Sequence, residues 1–151
     1  MQTCDLCQNT GGELLHQTTQ LRVVLVDEPN YPGFCRVIWN EHVKEMTDLV
    51  PLQRQAVMQT VCKVEDVIRR VMQPEKINLA SLGNMTPHVH WHVIPRYVDD
   101  AHFPQPVWGT QQREPDAAVL ATRHERLPAL KQALRDALPE SSPMPIIGSS
   151  S

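Results

Sequence analysis

Three histidines alternate with apolar residues in His88-Val89-His90-Trp91-His92-Val93-Ile94. Imidazole is the side chain that can act as nucleophile, general acid or metal ligand near neutral pH. Successive side chains of a β-strand point to opposite faces, so this stretch predicts a strand with His88, His90 and His92 on one side and Val89, Trp91 and Val93 on the other. Next-but-one Cα atoms lie about 6.6 Å apart along a strand, which lines the imidazoles up as a row. A helix would scatter them at steps of about 200°. One histidine on a strand is ordinarily a satisfied structural residue, but three in alternation give up apolar burial and point to function. Two chemistries compete. One is a metallohydrolase with zinc on all three rings; the other is metal-free attack of one imidazole on phosphorus. Spacing alone leaves both open.

A second pair of chemically able residues opens the chain. Cys4-Asp5-Leu6-Cys7 has the spacing of half a tetrahedral zinc site. A redox Cys-x-x-Cys normally opens a helix that follows a strand, and nothing strand-like precedes Cys4. Cys35 and Cys62 fall in apolar patterns and are expected to be small buried hydrophobes.

The elements that must position these residues can be read from pattern. Leu21–Val26 and Phe34–Trp39 are rich in strand formers, and the turn-forming run from Asp27 to Gly33 separates them. From Pro51 to Met72 the apolar residues Leu52, Val57, Val61, Val64, Ile68 and Val71 recur mostly at three and four, which predicts an amphipathic helix roughly 33 Å long. Proline suits its first turn, and Pro74 stops it. Ile77–Leu82 reads as another strand, Gly83-Asn84 as a turn, and then comes the histidine strand. Beyond Asp99 a Pro- and Gln-rich loop follows, in which Phe103 and Trp108 are expected to pack onto the domain and His102 and His124 to face solvent. Leu130, Ala133, Leu134, Ala137 and Leu138 predict a short docked helix ended by Pro139, before a frayed Ser- and Pro-rich tail.

The chain has 151 residues, 41% hydrophobic and 21% charged, enough for one domain with a real core and too ordinary for disorder. A net charge of −3 disfavours a nucleic acid polymer as partner. No apolar run approaches the ~20 residues needed to span a bilayer, and the N-terminus lacks a signal-peptide layout, so a cytoplasmic protein away from membranes is expected.

The motif His88-Val89-His90-Trp91-His92-Val93-Ile94 with Pro95-Arg96 resembles the signature of the histidine triad (HIT) family of nucleotide hydrolases and transferases. The strand ending at Val26-Asp27, the Pro32-Gly33 turn, the strand to Trp39, His42 and the long helix follow in family order, so the resemblance covers about residues 1 to 100. It implies an α+β fold: a meandering antiparallel sheet with one long packed helix, here followed by a short C-terminal helix, and usually a homodimer. The expected division is a HIT domain over 1–110, an extension over 111–140 and a tail over 141–151. The resemblance makes His90 the nucleophile, attacking the α-phosphate of a nucleotide substrate such as a dinucleoside polyphosphate or nucleoside phosphoramidate to form a nucleotidyl-histidine. It makes His92 and Asn84 phosphate contacts, adds Asn78 to the catalytic group, and gives Asp27 the ribose hydroxyls. Met85 stands where a hydroxyl residue is frequent, and Phe34 where histidine is.

Some members of the wider superfamily hold zinc with a cysteine pair and two histidines. The matching positions are Cys4, Cys7, His42 and His88, which implies a structural zinc ion and no organic cofactor; His16 is a possible substitute ligand. A non-catalytic nucleotide-binding module is the remaining alternative.

Overall fold

The computed structural model describes residues 3–138. Five antiparallel strands form one sheet: β1 (Glu13–Gln17), β2 (Leu21–Leu25), β3 (Cys35–Trp39), β4 (Lys76–Ala80) and β5 (His90–Arg96), in the order β1-β2-β3-β5-β4. The helices are α1 (Asp5–Gln8), α2 (Pro51–Met72), α3 (Ala117–His124) and α4 (Leu127–Ala137). This is the expected α+β architecture. Among the described residues no helix is long and apolar enough to cross a membrane.

Helix α2 begins at Pro51, with the Gln53 side chain accepting the free Val50 N–H. It ends where Gln73 turns left-handed (φ 51°) and Pro74 follows. It buries Val57, Val61, Val64, Val67, Ile68 and Met72 against the sheet, each side chain contributing roughly 1.5–3 kcal/mol by leaving water. Two expectations need correction. Leu52 is 78% exposed, because five residues at 100° each carry it about 140° from Val57 around the helix. Cys62 is exposed as well, while Cys35 is buried as expected.

Pro32-Gly33 makes the turn into β3. Gly33 has φ +96°, and a Cβ there would come within 3.2 Å of Met72 and 3.3 Å of Pro95, so the end of α2 and the end of β5 close over it.

The sheet has two unlike faces. On one, Val23, Leu25, Cys35, Val37, Trp39, Ile77 and Val93 join the α2 residues in the main core, and Leu130, Leu134 and Leu138 of the C-terminal segment complete it. The other face carries His90, His92 and Arg96 of β5 with Arg22 of β2 and Arg36 of β3, and it is covered in part by the N-terminal segment and by the loop after β5. Leu6 packs there on Val24 and Ile38, and Tyr31 and Phe34 pack on Ile94. Covering on both sides explains why every residue of β2 is buried.

Asp100 anchors the loop after β5. Its carboxylate accepts from Arg96 Nε (2.8 Å) and Nη2 (3.1 Å) and from the backbone N–H groups of Tyr97, His102 and Phe103. Burial works against its ionisation, but these donors outweigh burial and hold the carboxyl below its usual range. Asp100→Asn is expected to cost about 3–5 kcal/mol in urea unfolding by leaving the Arg96 guanidinium buried and underpartnered; a loss under 1 kcal/mol would show that the loop is held otherwise.

Besides the 3₁₀ turn Met46–Asp48, three elements were not foreseen. β1 is short and bulged between Leu14 and His16; α1 has four residues; α3 starts where the Asp116 side chain accepts from the Ala118 and Val119 N–H groups, an N-cap visible in the sequence. α4 is the expected C-terminal helix. The expected stop at Pro139 and the tail over 141–151 lie outside the described residues.

Candidate active site and metal centre

The row of three histidines is divided. His90 and His92 lie in β5, with ring centroids 4.9 Å apart at 85°. His88 lies in a bend before the strand, and its ring meets His42 instead, at 5.3 Å.

Backbone carbonyls fix opposite tautomers on the two neighbours. His90 Nδ1 donates to the His88 carbonyl at 2.6 Å. A carbonyl can only accept, so Nδ1 carries the hydrogen and Nε2 keeps its lone pair. His88 Nε2 donates to the Trp39 carbonyl, which leaves the lone pair on Nδ1, facing Cys4 Sγ at 3.4 Å and Cys7 Sγ at 3.5 Å. His90 is thus left with a lone pair on Nε2 and His88 with one on Nδ1. The His88 carbonyl joins them, since it orients the ring two residues on.

Burial favours the neutral imidazole in all three. It lowers the affinity of His88 and of His90 for a proton below the ordinary value, against the pull of the carbonyl each ring donates to. His92 is pushed down to about 3, by burial first and then by His90 and Arg36. Its Nδ1 is buried with no partner, as a group awaiting a ligand would be. Phe34 and Trp108 stand edge-on to the His92 ring, at 5.6 and 5.0 Å.

Cys4, Cys7, His42 and His88 converge, and their ligand atoms all lie within 4.8 Å of one another. Cys7 Sγ lies 3.4 Å from His42 Nδ1. Tetrahedral zinc, with Zn–S near 2.3 Å and Zn–N near 2.05 Å, sets ligand sulfur and nitrogen about 3.6 Å apart. The donor set and the sulfur–nitrogen separations of 3.4–3.5 Å fit such an ion. Four protein ligands close the shell, so a metal here has no open position for substrate. His16 lies in β1 opposite Val23 and is outside the group.

Arg22 holds the cysteine segment in place. Its guanidinium donates to the carbonyls of Leu6 (2.6 Å), Asn9 (3.2 Å) and Thr10 (3.0 Å) and to Asn40 Oδ1 (3.1 Å). Together these fasten the C-terminal end of α1 to β2.

The other expected site residues are distributed differently. Asn78 is half-buried in β4 opposite Ile94, and its Oδ1 accepts from Arg96 Nη1 at 2.7 Å. Asn84 is exposed and lines a cavity beside Cys4 and His42. Asp27 lines a cavity with Glu13, Leu127 and Lys131. A separate cavity of about 200 Å³ is lined by Glu28, Tyr31, Phe34, Arg36, His102 and Trp108 among others, and two of these walls, Phe34 and Trp108, are the rings that stand edge-on to His92. Sequence reasoning passed over most of this wall. Trp108, expected to pack, does so on His92 itself. His102, expected in solvent, is half-buried with Nδ1 bonded to Tyr31 OH. His124 is exposed, as expected, and meets the Pro29 carbonyl at 2.9 Å. Met85 is 96% exposed. The available signal for Arg36 was a charge inside an otherwise apolar strand.

The sequence matches the HIT domain over residues 9–99. A Mycobacterium tuberculosis protein named AP-4-A phosphorylase is 30% identical over 110 residues, 66% of this chain and 56% of that one. A Schizosaccharomyces pombe protein named bis(5'-nucleosyl)-tetraphosphatase (asymmetrical) is 30% identical over 91 residues, 57% of this chain and 50% of that one. The chain therefore spans about half the length of these curated relatives. A crystal structure of a histidine triad protein from Bradyrhizobium japonicum superposes with a TM-score of 0.65 at 26% identity, covering 83% of this chain and 90% of that one.

Proposed function

This chain belongs to the HIT domain family, and from that premise we propose that it is a nucleotide hydrolase or transferase working through a nucleotidyl-histidine on His90. The observation that carries the reading is the His90 Nδ1 bond to the His88 carbonyl, which leaves Nε2 as a neutral nucleophile beside His92, whose Nδ1 has no hydrogen-bond partner. The Nε2 lone pair attacks the α-phosphorus, the bond from phosphorus to the leaving group breaks, and the leaving group departs with that electron pair. Water or another acceptor then attacks the same phosphorus. The N–P bond breaks, its electrons return to Nε2, and the acceptor's proton is released. Two easier displacements replace one difficult one.

Through both steps His90 Nδ1 keeps its hydrogen and donates it to the His88 carbonyl, which supports the positive charge that His90 acquires. Neutral His92 donates a hydrogen bond to the phosphate from one ring nitrogen, in a site dry enough to strengthen it. Asn78 and Asn84 are kept as further contacts to the substrate, and Asp27 as the ribose contact. The relatives' names support a dinucleoside polyphosphate as substrate; a phosphoramidate is the competing class. Cys4, Cys7, His42 and His88 would hold zinc, which when bound supplies structural cross-linking of the N-terminal segment to the start of β5. A homodimer in the cytoplasm completes the proposal.

Incubation with a panel of AMP and GMP conjugates should release the nucleoside monophosphate from at least one of them. No release from any conjugate by folded, zinc-loaded protein would leave the family fold without this activity.

A further inference from the structure

Arg36 is a cation without a counter-ion. It sits in β3 directly opposite His92 of β5 and lines the cavity of about 200 Å³ whose Phe34 and Trp108 walls stand edge-on to that ring. Its Nη1 donates to the Gly11 carbonyl at 3.1 Å, but its Nε is buried with no partner. The ion pairs among the described residues are Arg96–Asp100, Arg123–Asp99 and Lys131–Glu13. None involves Arg36. Glu28, the carboxylate on the cavity wall, is exposed and accepts from the Asn30 N–H. A guanidinium stays charged in proteins, and holding that charge half-buried beside two neutral imidazoles is costly unless an anion arrives to meet it.

Resting on the activity proposed above, we infer that Arg36 is a specificity-determining residue: it binds the phosphate chain beyond the phosphate under attack, and so selects substrates whose leaving group is itself a phosphate or polyphosphate. The planar fork of donors matches phosphate oxygens. A leaving phosphate gains negative charge as its bond to the α-phosphorus breaks, and Arg36 meets that charge within the cavity walled by Tyr31, Phe34 and Trp108. A departing amine gains nothing from a cation. Arg36 therefore separates the two substrate classes that the histidine strand leaves equal.

The test compares diadenosine tetraphosphate with an AMP phosphoramidate of a neutral amine, using wild type, Arg36→Met and Arg36→Lys as zinc-loaded protein, and adds calorimetric binding of inorganic tripolyphosphate. In Arg36→Met the ratio of kcat/KM for the tetraphosphate to that for the phosphoramidate should fall about 100-fold, tripolyphosphate should bind at least about tenfold more weakly, and Arg36→Lys should recover part of both. Equal loss on the two substrates would overturn the inference and assign Arg36 to bracing Gly11. Unchanged tripolyphosphate binding would overturn it as well. If wild type turns over neither substrate, the proposed activity fails by itself, and tripolyphosphate binding still decides the role of Arg36.

Discussion

His90→Ala is expected to abolish turnover, lowering kcat/KM by on the order of 10⁴-fold or more, as removal of a covalent nucleophile does when little else in the site can replace it. Among the described residues the ring that meets His90 is His92, 4.9 Å away by centroid. It has no carbonyl on Nδ1 to fix its tautomer or to support the charge it would acquire. The variant should remain folded and keep its metal, because the four candidate ligands are other residues. What it loses structurally is one hydrogen bond to the His88 carbonyl, about 1 kcal/mol. Steady-state release of nucleoside monophosphate checks the outcome. Near-normal rates on every conjugate would remove His90 from the chemistry, and unaltered nucleotide binding in a wild type that never turns over would favour a binding module.

The second large effect concerns metal. Chelation of the zinc-loaded protein, or Cys7→Ser, should lower stability steeply, because an ion that binds only the folded chain stabilises it by about 4 kcal/mol at 1,000 times its Kd. For a chain of this size that is about 10 °C or more in Tm. The cause is geometric. Cys4 and Cys7 belong to the N-terminal segment and His88 to the approach to β5, more than eighty residues away in sequence, and each cysteine sulfur lies within 3.5 Å of the His88 ring. Scanning calorimetry with and without chelator measures the effect. Below both transitions the chelated protein should keep a substantial part of its kcat, since the closed ligand set gives the metal no place in the reaction. Complete loss of activity in folded apoprotein would instead return zinc to the chemistry, as in a metallohydrolase.

The histidine strand was legible because strict alternation survives folding: His90 and His92 share a face of β5 as the period of two requires. His88 shares the spacing but not the role. A bend before β5 turns its ring to His42 and the cysteines, and no local pattern reports a contact across more than eighty residues. The long helix announced itself through valines at three and four, while Leu52, one more apolar residue in the same run, fell off the stripe by angle alone. The short β1 and α1 lack enough residues to show a period; β1 is held by its pairing with β2, and α1 by Arg22, which collects the carbonyls of Leu6, Asn9 and Thr10. Trp108 and Arg36 reach His92 from a loop and a neighbouring strand. Their isolated positions carry no spacing that could reveal a shared cavity. Asp116 did signal α3 as an N-cap and was passed over because the surrounding composition suggested loop.

The central claim is a covalent bond from phosphorus to a particular nitrogen, and rapid acid-free quenching of a single turnover followed by peptide mass spectrometry measures it directly. The account predicts a nucleoside monophosphate adduct on the peptide carrying His90, at Nε2, formed in both zinc-loaded and chelated folded protein. An adduct on His92 or on no histidine while product accumulates, or one that forms only with metal bound, would contradict it.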